Sequence, residues 1–100
     1  MSTLDTKIKP EDINTTRHFF NGFGHRETEI SANWIVRFCQ IRGEGWEPFT
    51  LAELEKFYTQ GDGFWFNRLT TQKWVSVKDG VVTLTVRFVE RCHKASPAQS

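Results

Sequence analysis

The stretch Phe49-Thr50-Leu51-Ala52-Glu53-Leu54 carries the clearest local signal in the chain. Thr50 followed three residues later by Glu53 is a capping box, in which each side chain accepts a hydrogen bond from the other residue's backbone N–H. Because this pairing satisfies two N–H groups that a helix start leaves open, the pattern predicts a helix from residue 51 through Tyr58. The glycine-containing segment 60–63 ends it.

Downstream of this helix, the sequence predicts a short helix over residues 64–73 with Leu69 pointing inward. A strand is predicted over Trp74–Val77, followed by a turn at Lys78-Asp79-Gly80. Residues 81–91 are predicted as one long strand. Its apolar side chains alternate with polar ones, which indicates one buried face and one solvent-exposed face. The buried face would carry Val82, Leu84, Val86 and Phe88, and the exposed face Thr83, Thr85 and Arg87.

Upstream, Ser31 is predicted to cap a helix over residues 32–42 that Gly43 ends. A weaker helix is predicted from Pro10 to about Phe20. Residues 1–9 are expected to be a flexible leader and residues 93–100 a flexible tail. Residues 10–92 would then form one domain, which suits a chain of 100 residues.

The order of these elements predicts an α+β domain with three or four helices and a C-terminal β-hairpin. The helical stripes and the strand alternation together predict the buried side chains. The expected core consists of Trp34, Ile35, Phe38, Ile41, Leu51, Leu54, Phe57, Leu69, Val82, Leu84 and Val86.

Composition excludes several classes of protein. A net charge of +1 and a pI near 7.8 are unlike a histone-type polycation. No apolar run approaches the ~20 residues of a membrane helix, so no membrane association is expected. The first residues lack the apolar core of a secretory signal, which predicts a cytoplasmic protein with Cys39 and Cys92 as free thiols. These cysteines and the three histidines are too scattered for a zinc site, and we expect neither metal nor cofactor.

Five segments together resemble the winged helix-turn-helix superfamily, over about residues 31–91. They are Phe49–Leu54, Phe66-Asn67-Arg68-Leu69, Lys73-Trp74-Val75, Lys78-Asp79-Gly80 and Leu84. The resemblance implies that the helix at residues 64–73 faces DNA and that the hairpin forms the wing. It also implies that the protein could act as a homodimer, as many regulators of this superfamily do.

The residues that could contact double-stranded DNA lie in the second half of the chain. Residues 62–100 carry 6 basic and 3 acidic side chains, whereas residues 1–61 carry 7 basic and 9 acidic ones. Polar side chains can reach base edges and cations can hold phosphates. The predicted contacts are Asn67, Arg68, Thr70, Thr71, Lys73, Lys78 and Arg87, the last on the wet face of the long strand. The expected function is therefore that of a small DNA-binding regulator of transcription.

A protein-interaction module or small inhibitor is the alternative. The chain has 14 aromatic residues among 100, more than a small core readily buries. The candidate interface residues are Phe19, Phe20, Phe23 and Phe64. No nucleophile stands with a recognisable base and orienting group, so we expect a non-enzymatic protein.

Overall fold

The computed structural model of the protein describes residues 6–16, 26–57 and 63–95. For residues 26–27 and 63–66 it describes the backbone only. The helices are a 3-10 turn at Pro10–Asp12, α1 at Arg26–Arg42, α2 at Leu51–Phe57, α3 at Gly63–Thr71 and α4 at Val86–Ala95. The strands are β1 at Phe49–Thr50, β2 at Val75–Lys78 and β3 at Val81–Leu84. The predicted α+β class is confirmed.

The three strands form one antiparallel sheet in the order β1-β3-β2. β2 and β3 are the two arms of the predicted hairpin, and Lys78 faces Val81 at its closed end. The two turn residues, Asp79 and Gly80, have φ values of 54° and 78°. A two-residue turn with positive φ at both positions matches the right-handed twist of the strands, which confirms the predicted turn.

The capping box at the start of α2 is also confirmed. The Glu53 N–H donates to the Thr50 hydroxyl at 3.1 Å. The Thr50 N–H donates to the Glu53 carboxylate at 2.9 Å. The bond from the Thr50 N–H, and after it a 3.0 Å bond from the Thr50 hydroxyl to the same carboxylate, favour the charged form and lower the pKa of Glu53. α2 ends at Phe57 in the structure, and Tyr58 lies outside the described residues.

The long C-terminal strand predicted over residues 81–91 is wrong beyond Leu84. Residues Val86–Ala95 form α4, so the hairpin is followed by a helix and the predicted tail begins inside that helix. Phe88 and Val89 are both buried although they are neighbours. A strand sends neighbouring side chains to opposite faces, whereas a helix places Phe88, Val89 and Cys92 on one face.

α1 begins at Arg26, so Ser31 lies inside the helix and is buried, and its predicted role as the cap is wrong. The buried stripe consists of Ala32, Ile35, Val36 and Cys39, each 0–1% exposed. Ile41 lies two residues beyond Cys39, about 200° around the helix. It is 69% exposed, and its assignment to the core is therefore wrong.

The helix predicted from Pro10 ends at Asp12, and Ile13 continues in extended geometry. The side-chain amide of Gln40 on α1 holds this segment by donating to the carbonyls of Pro10 and Ile13, at 2.8 and 2.9 Å. The Trp46 indole donates to the Ile8 carbonyl at 2.7 Å. Ile8 belongs to the predicted leader, yet it packs against the core.

Six of the predicted core residues are buried. They are Ile35, Phe38, Leu54, Leu69, Val82 and Leu84. Trp34, Leu51, Phe57 and Val86 are only partly buried, and the rings of Trp34 and Phe57 meet edge to face at 5.4 Å. Aromatic residues outside the prediction complete the interior: Trp46, Phe49, Trp74 and Phe88. The core therefore lies between α1, α3 and the inner face of the sheet, and α2 and α4 add buried side chains to it.

Candidate nucleic-acid interface

An open groove of about 600 Å³ lies between α3 and the edge strand β2. Its described lining contains five polar residues and three apolar ones: Asn67, Thr70, Lys73, Ser76 and Thr85, with Leu51, Val75 and Val77. Three of the predicted DNA contacts, Asn67, Thr70 and Lys73, therefore line one concave surface. No carboxylate is present among its described lining residues.

The end of α3 sets the position of Lys73. The N–H groups of Lys73 and Trp74 donate to the carbonyls of Thr70 and Leu69, at 3.1 and 2.9 Å. This pair of bonds is a Schellman motif, whose left-handed residue is usually glycine. Here that residue is Lys73, with φ 63°. A left-handed non-glycine residue costs roughly 1–2 kcal/mol, and backbone strain of this kind concentrates at functional sites.

The other predicted residues of α3 differ in how free their side chains are. Asn67 and Thr71 are exposed, whereas Arg68 and Thr70 are half-buried. The Thr70 hydroxyl donates to the backbone carbonyl of Asn67 at 2.8 Å. Arg68 already makes an interaction within the chain. Asn67 and Thr71 are thus the two described side chains of α3 that are exposed to solvent.

Arg87 lies on α4 and not on the wet face of a strand, because the predicted strand is a helix there. Its guanidinium carbon lies 3.7 Å from the centre of the Trp74 ring. The same group donates to the carbonyl of Gln72 at 3.1 Å. These contacts with the residues on either side of Lys73 hold a second exposed cation at this end of the groove.

The edge of β2 contributes backbone groups to the groove. β2 is one of the two outer strands, and no other strand pairs with its free edge within the described residues. In a two-residue hairpin the closing pair, Lys78 and Val81, exchanges backbone hydrogen bonds, and every second pair repeats this. The N–H and C=O groups of Val75 and Val77 therefore point away from β3. Both residues line the groove.

Lys78 stands at the closed end of the hairpin, where it is exposed. Asp79 follows it in the turn and is exposed as well. The surface therefore carries Lys73 and Arg87 at the end of α3 and Lys78 at the tip of the hairpin. One cation in the groove, Lys73, and further cations on the elements that form it suit a polyanionic ligand.

Cys39 and Cys92 are both buried. Burial raises the pKa of the Cys39 thiol to about 12, and burial also raises the pKa of Cys92. Neither is a thiolate near neutral pH, so neither is activated as a nucleophile.

The residues of the alternative protein interface cannot be placed. Phe19, Phe20 and Phe23 lie outside the described residues, as does the side chain of Phe64. Within the described ranges, no three histidine, cysteine or carboxylate side chains cluster as a metal site would require. No helix in those ranges has the length and apolar character needed to cross a membrane.

Sequence reasoning missed three parts of this surface: the left-handed Lys73, the Trp74–Arg87 stack and the open edge of β2. A glycine after the helix would have predicted a left-handed residue, but the segment Gln72-Lys73-Trp74 contains none. A signal did exist for α4, because Thr85 precedes three residues that are buried at helical spacing. Comparison of the chain with known protein families, with curated proteins and with solved structures gives no match.

Proposed function

We propose that this protein binds double-stranded DNA, with α3 and the β2–β3 hairpin as the contact surface, and acts as a small regulator of transcription. The observation that carries the proposal is the position of Lys73. A cation occupies a left-handed site where the backbone favours glycine, and it lines a groove together with Asn67 and Thr70. A purely structural turn would gain stability from glycine there.

The arrangement matches what a DNA backbone requires. Phosphates are held by cations, by hydroxyl and amide groups and by backbone N–H groups. Lys73 and Lys78 supply the cations, and the free edge of β2 supplies N–H groups between them. Base edges would be read by the exposed polar side chains of α3, since a helix fits the major groove.

The test is a fluorescence anisotropy titration of the full chain against random-sequence duplexes, at ~50 mM and ~200 mM salt. We expect the affinity to fall steeply between the two conditions, because cations bound to phosphates release counterions. Absence of salt-sensitive binding to any duplex at low salt would overturn the proposal. A protein partner would then be the function to pursue.

Two variants assign the binding to the surface formed by α3 and the hairpin. Lys73→Gly should weaken binding to all sequences and reduce the salt slope by about one. The same change should raise the free energy of unfolding by about 1 kcal/mol, since glycine relieves the left-handed strain. Lys78→Ala should also reduce the salt slope by about one. Lys7→Ala is the matched control, because Lys7 is exposed on the N-terminal segment and does not line the groove.

Opposite changes in stability and affinity for Lys73→Gly distinguish a binding role from a structural one. If Lys73→Gly lowers both the stability and the affinity, Lys73 has a structural role. If Lys73→Gly keeps full affinity, Lys73 does not contact DNA. Far-UV circular dichroism of each variant establishes that the helices are retained.

A further inference from the structure

We infer that Asn67 reads adenine in the major groove and that it is the base-specifying residue of α3. This inference rests on the proposed DNA binding and adds a ligand preference to it. It comes from which polar side chains of the surface are already engaged and which remain able to pair with a base.

Most polar groups of the surface already form contacts within the chain or cannot distinguish one base from another. The Thr70 hydroxyl donates to the Asn67 carbonyl. Arg87 is held on Trp74 and Gln72. The ammonium groups of Lys73 and Lys78 can only donate hydrogen bonds and suit phosphates. Contacts with phosphates carry no sequence information. Thr71 is exposed, but a hydroxyl pairs with either kind of base.

The Asn67 side chain is different, because its amide carries both a donor and an acceptor. It is exposed and lines the groove. The hydrogen bond from the Thr70 hydroxyl goes to the Asn67 backbone carbonyl and not to this side-chain amide. Adenine is the base that presents a matching pair in the major groove, with the N6 amino group as donor and N7 as acceptor. Guanine presents two acceptors there, so an amide satisfies only one of them.

The experiment measures the affinity of the full chain for three 20-bp alternating duplexes, dA·dT, dG·dC and dI·dC, at low salt. Inosine–cytosine resembles guanine–cytosine in the major groove but lacks the minor-groove amino group, as adenine–thymine does. We expect dA·dT to bind about 5- to 150-fold more tightly than both others, which is the discrimination of one bidentate pair. Equal binding of dI·dC and dA·dT would place the preference in the minor groove and overturn the inference.

Asn67→Ala should bring the three affinities together by weakening binding to dA·dT alone. Lys73→Ala is the comparison: it should weaken all three duplexes by a similar factor and leave their ratio unchanged, as a phosphate contact does. If Asn67→Ala does not fold, dA·dT carrying 7-deazaadenine tests the wild-type chain instead, because this base lacks the N7 acceptor. Its affinity should then fall to that of dG·dC.

The outcomes separate this inference from the proposed function. Salt-sensitive binding to all three duplexes with equal affinity would overturn the adenine preference and leave DNA binding in place. A preference for dA·dT that survives Asn67→Ala or 7-deazaadenine would also overturn the role of Asn67. Absence of binding to any of the three would overturn both.

Discussion

Replacement of Thr85 by Val is a direct test of the junction between β3 and α4. The Thr85 hydroxyl donates to the Trp74 carbonyl at 2.7 Å. It also accepts a hydrogen bond from the Phe88 N–H at 3.1 Å, which is the geometry of a helix cap. Val has the same branching and nearly the same volume, so the change removes both hydrogen bonds without opening a cavity.

The expected loss of stability follows from those two hydrogen bonds. The cap contributes about 1 kcal/mol and the bond to the Trp74 carbonyl about 1 kcal/mol more. Thr85→Val should therefore lower the free energy of unfolding by about 2 kcal/mol. With an m value of roughly 1–2 kcal/mol/M, the midpoint of urea unfolding should fall by about 1–2 M. The buried indoles of Trp46 and Trp74 provide the fluorescence signal.

Thr85→Ser is the control, because it retains the hydroxyl and should lie within about 1 kcal/mol of the wild type. Val favours extended backbone. If residues 81–91 were one continuous strand, Thr85→Val would be neutral or stabilising. A Val variant as stable as the Ser variant would thus refute the cap and the helix that follows it.

Two further results are expected. Thr50→Ala should cost about 1 kcal/mol near neutral pH through the lost helix cap. That cost should shrink in acid, measured by urea unfolding from about pH 7 to about pH 3. The Thr50 N–H, which alanine retains, and the Thr50 hydroxyl, which alanine lacks, both lower the pKa of Glu53. The part due to the hydroxyl stabilises the fold above the ordinary pKa of Glu53 and is lost as pH falls through the lowered value. In the native protein, Cys39 and Cys92 should not react with Ellman's reagent within minutes near pH 8, since both are buried and their pKa values are raised. Both should react in urea, and a thiol that reacts in the native state would contradict the packing of α1 and α4.

The elements that the sequence predicts well are those whose signals are local. The capping box of Thr50 and Glu53 and the Asp79-Gly80 turn each depend on residues within four positions of one another, and both occur in the structure. The α+β class follows from their order. Leu54 and Leu69 are buried as predicted, because each is the inward residue of a short amphipathic helix.

The elements that failed depended on distant partners. Val82, Leu84, Val86 and Phe88 fit a strand as a set, although residues 86–95 also fit a helix. Whether these residues form a strand or a helix depends on which side chains the rest of the fold can bury. The structure buries Phe88, Val89 and Cys92 together, which requires the helix α4. Ile41 illustrates the same dependence, since α1 is rotated so that Ala32, Ile35, Val36 and Cys39 face the core instead.

For the candidate interface, the sequence by itself identified the polar residues of α3 and the cations of the second half of the chain. Only the tertiary structure decided which of them meet. The groove exists because β2 is the outer strand beside α3, and strand order is set by long-range pairing between β1 and β3. Lys73 lines it because the Schellman motif turns the chain back from α3 into β2. Arg87 joins them through α4, because burial of Phe88, Val89 and Cys92 selects the helix over the strand that the local sequence also fits.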